Sequence, residues 1–168
     1  MQWGALRDYF QAQGYATDFM PNDYIMSPSI WNNIYKGALG EIAGKFWFES
    51  VLHITLEDIS EPEKFELFDF KIPGKAVYVD FKNWNEATEM NRDEMVDKIK
   101  IKADKCGCKC AIIANIIAKT GYKVQKFYEG NIEFLIIPSL LRDDDGISID
   151  NDAMLAIRRC LNEFTDKN

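Results

Sequence analysis

The stretch Phe68-Asp69-Phe70-Lys71-Ile72-Pro73-Gly74-Lys75-Ala76-Val77-Tyr78-Val79-Asp80-Phe81-Lys82 decides the fold. Pro73-Gly74 is a strong turn signal, because proline presets one central turn position and glycine tolerates the next. The runs on either side, Phe65 to Ile72 and Ala76 to Lys82, read as the two strands of a hairpin. Side chains alternate faces along a strand, so Asp80 and Lys82 share one. With Pro73 and Gly74 as the central turn residues, Ile72 pairs with Lys75 and Asp69 lies opposite Tyr78. Asp80 is then the diagonal neighbour of Asp69 on one face, roughly 7 to 8 Å away backbone to backbone. Two carboxylates at that spacing can share a divalent cation, provided the register holds, since a loop longer by one residue turns Asp80 to the other face. An acid among β-formers is costly if buried alone. A bound cation relieves that cost, and so does a plain Asp–Lys cross-strand pair on an exposed sheet face.

Upstream, Ser27-Pro28 is a helix start, an N-cap followed by proline at the first helical position. Ile30, Ile34, Ala38, Ile42 and Phe46 recur every four residues, which predicts a helix running to about residue 52. Glu41 falls on the face of Ile34, Ala38 and Phe48, which reads as packed. Gly37 and Gly40 each cost the helix about 1 kcal/mol, which makes sense where it must approach another backbone closely. A third carboxylate near the hairpin would complete an oxygen-rich site suited to Mg²⁺ or Mn²⁺. Residues 2–13 read as a short helix and 14–26 as loop, and Glu57 to Glu63 form an acidic linker. Downstream come a lysine-rich helix over 91–105, a buried strand from Lys109 to Ile117, strands over 122–128 and 132–137, and a terminal helix over 151–164. The order predicts an α/β fold with one central mixed sheet flanked by helices.

The 168 residues fit one ordinary domain, with its core over about 28–137, and 47% hydrophobic with 28% charged residues describes a globular chain. No apolar run reaches the roughly 18 to 20 residues of a membrane span, and no signal peptide is visible, so a cytoplasmic protein without membrane contact is expected. The abrupt start, with Trp3, reads as a domain excised from a longer chain whose other domains would be partners. The four cysteines, at 106, 108, 110 and 160, are expected as reduced thiols. Cys-x-Cys-x-Cys lacks the spacing of a zinc site, and His53, the only histidine, reads as a surface or capping residue. The net charge of −7 weakly opposes a nucleic-acid partner, yet Lys71 to Lys126 carries twelve basic residues against seven acids. That basic middle suits a polyanion, or simply a solvated lysine face. Gly40-Glu-Ile-Ala-Gly44-Lys45 is no phosphate loop: it has three residues between its glycines and Phe46 where a hydroxyl should hold Mg²⁺. The stripe Trp31, Tyr35, Phe46 and Trp47 reads as core and helix packing.

Gly37-Ala38-Leu39-Gly40-Glu41 on a helix, then Phe68-Asp69-Phe70, then Val79-Asp80-Phe81-Lys82, resemble the PD-(D/E)xK nucleases, which have the restriction-endonuclease-like fold. The resemblance spans about residues 28 to 84, and the helix and strand that follow fit the family's core order. Phe68 stands where the family often has proline, and Asp80 where it often has glutamate. The resemblance implies a single nuclease-like domain, Mg²⁺- or Mn²⁺-dependent, hydrolysing phosphodiesters of nucleic acid in the manner of an endonuclease, with DNA as the expected substrate. It implies that Asp69, Asp80, the Phe81 carbonyl and Glu41 hold the metal. Lys82 would position and polarise the attacking water and stabilise charge on the phosphate. Expected nucleic-acid contacts are Lys45, Trp84, Lys98, Lys102 and Lys105, the last three sharing a helical face at i, i+4 and i+7. Trp84 stacks on a base or caps the sheet. Two alternatives stand beside this: an inactive relative that binds nucleic acid or plays a structural role in a larger protein, and a small α/β enzyme acting on another substrate.

Overall fold

The apolar runs of the chain become the middle of a sheet. A computed structural model describes residues 12, 28–59, 68–83, 92–118, 123–143 and 146–164. The chain divides into two compact units, residues 1–35 and 36–168. The first contributes the opening turns of helix α1, Pro28–Phe46, which continues into the second. The readings placed on residues 2–11, 13–27, 60–67 and 84–91 lie outside the described residues, among them the N-cap Ser27 and Trp84.

In the larger unit, strands β1 (Glu57–Asp58), β2 (Phe70–Lys71), β3 (Val77–Lys82), β4 (Cys110–Asn115), β5 (Gln125–Glu129) and β6 (Ile132–Ile137) form a mixed sheet in the order β1-β2-β3-β4-β6-β5. The three inner strands, β3, β4 and β6, run parallel, and β2 and β5 flank them antiparallel. Every residue of β4 and of β6 is buried, as expected of parallel strands covered on both faces. The crossover a parallel pair requires is supplied between β3 and β4 by helix α2, Arg92–Cys106. A small hairpin of β7 (Leu141–Asp143) and β8 (Ile147–Ile149) follows, then helix α3, Asn151–Glu163, whose N-cap Asp150 accepts the Ala153 N–H at 2.9 Å.

The sheet separates two cores by strand alternation. On one face Phe70, Val77, Val79, Phe81, Cys110, Ile112 and Ala114 meet Ala153, Ile157 and Cys160 of α3 and Phe48. On the other, Tyr78, Ala111, Ile113, Phe134 and Ile136 meet Val96, Ile99 and Ala103 of α2, a helical spacing of three and four.

Helix α1 corrects the periodicity reading. It forms where expected, closing with a π-helical turn over Trp47–Val51 and a left-handed cap at His53, φ 58°. Its four-residue stripe, however, is the outer face: Ile34, Ala38, Ile42 and Phe46 are all exposed, Ile42 by 68% and Phe46 by 56%. Tyr35 is exposed as well. The buried line is instead Gly40, Gly44 and Phe48. A Cβ on Gly44 would lie 2.4 Å from the Phe81 ring, and one on Gly40 would lie 3.0 Å from the Asn83 Cβ. Gly37 meets nothing within 4 Å. The close-approach glycines are therefore 40 and 44: Gly40 acts as expected, and Gly44, one turn on, takes the place of Gly37.

Candidate active site

Proline and glycine do occupy the centre of the turn, closed by the Lys75 N–H on the Ile72 carbonyl at 3.2 Å, with Gly74 at φ 66°. That geometry splays strands instead of joining them in a two-residue loop. Pairing consequently begins at Ile72 and Val77, whose N–H and carbonyl lie 3.0 Å apart, and continues through Lys71↔Tyr78 and Phe70↔Val79. The register differs from the expected one by two residues. Because the offset is even, each strand keeps its faces.

At Asp69 the strand departs from regularity. Phe68 packs beside Tyr78 on the α2 face, with ring centroids 5.2 Å apart, whereas Phe70 packs against Phe81 on the α3 face at 5.8 Å. Residues two apart in a regular strand share a face, so one residue is extra here, and Asp69 is that bulge. Its N–H turns to the Val79 carbonyl at 3.1 Å, and its Oδ2 accepts the Phe81 N–H at 2.6 Å. The carboxylate thus replaces a backbone carbonyl at the end of the ladder. Bulges of this kind re-aim a side chain. The Ala76 carbonyl accepts from the Lys109 and Cys110 N–H groups and the Lys82 carbonyl from that of Ile116, at the two ends of β4, so alternation directs the Phe81 carbonyl to the opposite edge, where Asp69 stands.

Asp80 is buried and sits on the α2 face two residues before Lys82, whose Nζ reaches both of its oxygens, at 2.9 and 2.7 Å. Glu41 is brought over the end of β3 by the Gly40 contact, and the Asn83 side-chain amide ties the same region to α1 by donating to the Lys36 carbonyl at 3.0 Å. Asn83 escaped the sequence reading because only this contact gives it a role. Glu41 lies at the surface, yet its carboxyl is raised above the usual range, first by the protein around it and then by Asp80, with Lys82 opposing. Asp69 is pushed up to about 8, chiefly by burial and next by the Asp80 charge. The Phe81 N–H and Lys82 pull it down, and Glu41 adds to the rise. Three carboxyls and one ammonium therefore form a single electrostatic group at the end of β3.

The donor set is all oxygen and crowded with like charge, an arrangement a hard divalent cation would relieve. The fit is open, not closed. Among the described residues, the group of three donors lying within 4.8 Å of one another is Cys110, Glu133 and Cys160, not these acids. Asp80 instead turns to Lys82, and Asp69 to the Phe81 N–H.

The expected nucleic-acid contacts fare unevenly. Lys45 pairs with Asp58 at 3.0 Å and lies over the Phe70 ring, 5.0 Å from its centroid. Lys98, Lys102 and Lys105 lie on α2, but their side chains, like Trp84, fall outside the described residues. Other lysines of the basic middle are taken up internally: Lys75 on the Leu161 carbonyl, Lys100 on Glu129, and Lys126 on Glu133 and Glu163. Among the described residues no helix is long and apolar enough to cross a membrane. Comparison with protein-family models gives no match, and comparison with curated protein sequences gives none either.

Proposed function

We propose that this chain is a divalent-metal-dependent nuclease of the restriction-endonuclease-like fold, hydrolysing phosphodiester bonds of nucleic acid, with DNA as the first substrate to try. The observation that carries this reading is the bulge at Asp69, which turns a carboxylate out of the ladder and into the electrostatic reach of Asp80, Glu41 and Lys82. The sequence of helix, antiparallel pair, crossover helix and parallel strand supports it further.

In this reading Asp69, Asp80 and the Phe81 carbonyl hold Mg²⁺ or Mn²⁺, with Glu41 completing the set directly or through water. The ion supplies Lewis acidity and lowers the pKa of bound water. Lys82, released from Asp80, donates to the phosphate or to the attacking water, a compact charge in a half-buried position. Asn83 and Gly40 hold Glu41 against the strand end.

The test is incubation with plasmid, single-stranded DNA and RNA in Mn²⁺ and in Mg²⁺. Wild type should cut at least one substrate, and Asp80→Asn and Lys82→Ala should lose at least a hundredfold in rate. Equal cutting by Lys82→Ala, or no metal-dependent cutting of any of the three, overturns the proposal. The closure of Lys82 on both oxygens of Asp80 favours a second reading, an inactive module that binds nucleic acid. Binding of DNA or RNA without cleavage identifies it.

A further inference from the structure

A second cluster sits at the other end of the strands. Cys110 opens β4, opposite Val77 on one side and Glu133 on the other, and Glu133 in turn faces Tyr128 across β5. Asp80 and Lys82 stand three and five residues further along the same ladder, opposite Ile113 and Asn115. Helix α3 lays Cys160 onto the row from above, so that the two Sγ atoms approach to 2.6 Å. Both sulfurs and a carboxylate oxygen of Glu133 lie within 4.8 Å of one another. Cys110 and Glu133 are completely buried and Cys160 is 1% exposed.

Glu133 is the residue that packing does not explain. Its Oε2 accepts the Tyr128 hydroxyl at 2.5 Å and lies 2.9 Å from Lys126 Nζ. Its Oε1 is buried with no hydrogen-bond partner. A buried carboxylate oxygen left unpaired is costly, and such groups occur where a ligand completes them.

We propose that Cys110, Cys160 and Glu133 bind a thiophilic divalent cation of the zinc class, which ties the C-terminal helix to the central sheet. Thiolate donors select such ions over Mg²⁺. The charges balance. Lys126, shared by Glu133 and Glu163, keeps its charge throughout. Binding of M²⁺ brings two positive charges in and release of both thiol protons to solvent takes two out, so the net charge of the site is unchanged. Tetrahedral Zn–S bonds of about 2.3 Å set sulfurs roughly 3.8 Å apart, so the cysteines separate by about one ångström on binding. Three protein donors leave one coordination position for water. The sequence hid this site because its members come from β4, β6 and α3, and the conspicuous Cys106-x-Cys108-x-Cys110 run supplies only one of them.

Cobalt titration of the reduced, chelator-stripped full chain tests the proposal. One equivalent should produce a thiolate-to-cobalt charge-transfer band in the near ultraviolet, together with the intense visible bands of tetrahedral Co²⁺. Zn²⁺ should displace it, and about two protons should be released per ion in weakly buffered solution at pH 7. Cys110→Ala and Cys160→Ala should abolish the band, and the Cys106→Ser/Cys108→Ser double variant should keep it. Glu133→Gln should weaken binding at least tenfold. Ions held by the carboxylates near Asp69 give no thiolate band, so the outcome is separate from that of the nuclease assay. Absence of the band in folded wild type overturns the proposal, as does its persistence in Cys110→Ala or its loss in the double variant. If the alanine variants fail to fold, the wild-type spectrum and the double variant still decide.

Discussion

Replacing Asp69 by asparagine should stabilise the metal-free protein, against the usual direction for a buried polar substitution. The Asp69 carboxyl rises from 3.8 in the unfolded chain to about 8 in the fold, through burial and the neighbouring Asp80. Folding therefore takes up a proton between those values. The contribution of this group to wild-type stability is fully present below about pH 4, is lost as pH climbs through the window, and is gone above about 8. At roughly 1.4 kcal/mol per unit the full effect, reached above pH 8, is on the order of 6 kcal/mol. Asparagine recovers only part, because its amide is still desolvated and its oxygen is a weaker acceptor for the Phe81 N–H than a carboxylate. A net gain of about 2 kcal/mol remains, worth about 4 to 8 °C for a chain of this size. Thermal unfolding in chelator at pH 5 and pH 8 measures it, and the difference between the two proteins cancels the titrating groups remote from this site. Saturating Mg²⁺ or Mn²⁺ should reverse the order, since a hundredfold excess over Kd stabilises only the binding-competent wild type, by about 2.7 kcal/mol. A variant that melts below wild type at pH 8 in chelator, or a difference that does not shrink at pH 5, refutes the electrostatic account.

The glycines of α1 should separate cleanly in chemical denaturation. Gly44→Ala drives a methyl into the Phe81 ring and should cost about 1 to 3 kcal/mol, whereas Gly37→Ala, facing open space, should gain about 1 kcal/mol. Asp150→Ala removes the N-cap of α3 and the partner of Arg142, and should lower stability by about 1 to 2 kcal/mol in the same assay; Asp150→Ser should restore most of the capping share.

The sheet was legible where chemistry is local. Pro73-Gly74 set the turn, the β-branched runs set β3, β4 and β6, and the two later helices open at Arg92 and Asn151 against expected starts at 91 and 151. The loop length was not legible, because the Pro-Gly turn fits its four residues yet its twist does not close a two-residue hairpin. The bulge depends on one side-chain bond, from the Phe81 N–H to Asp69, and leaves no trace in alternation. On α1 a repeat of four described a helix without saying which side faces inward. The better signal was the spacing of Gly40 and Gly44, small residues one turn apart, which mark where another chain segment comes near. Short β7 and β8 carry too few residues for any period to show.

Among the described residues the six-stranded sheet has two rims, and each is poorly suited to receive a further strand. At one, β1 offers only Glu57 and Asp58, both solvent-facing, so an incoming backbone would find two residues of ladder, with Asp58 already held by Lys45. At the other, Gln125, Lys126 and Tyr128 of β5 stand in water, with Lys126 clasped by Glu163 from α3. One rim only two residues long and the other lined by charged side chains are features that disfavour edge-to-edge pairing of sheets, a matter of weight for a core this rich in isoleucine and phenylalanine.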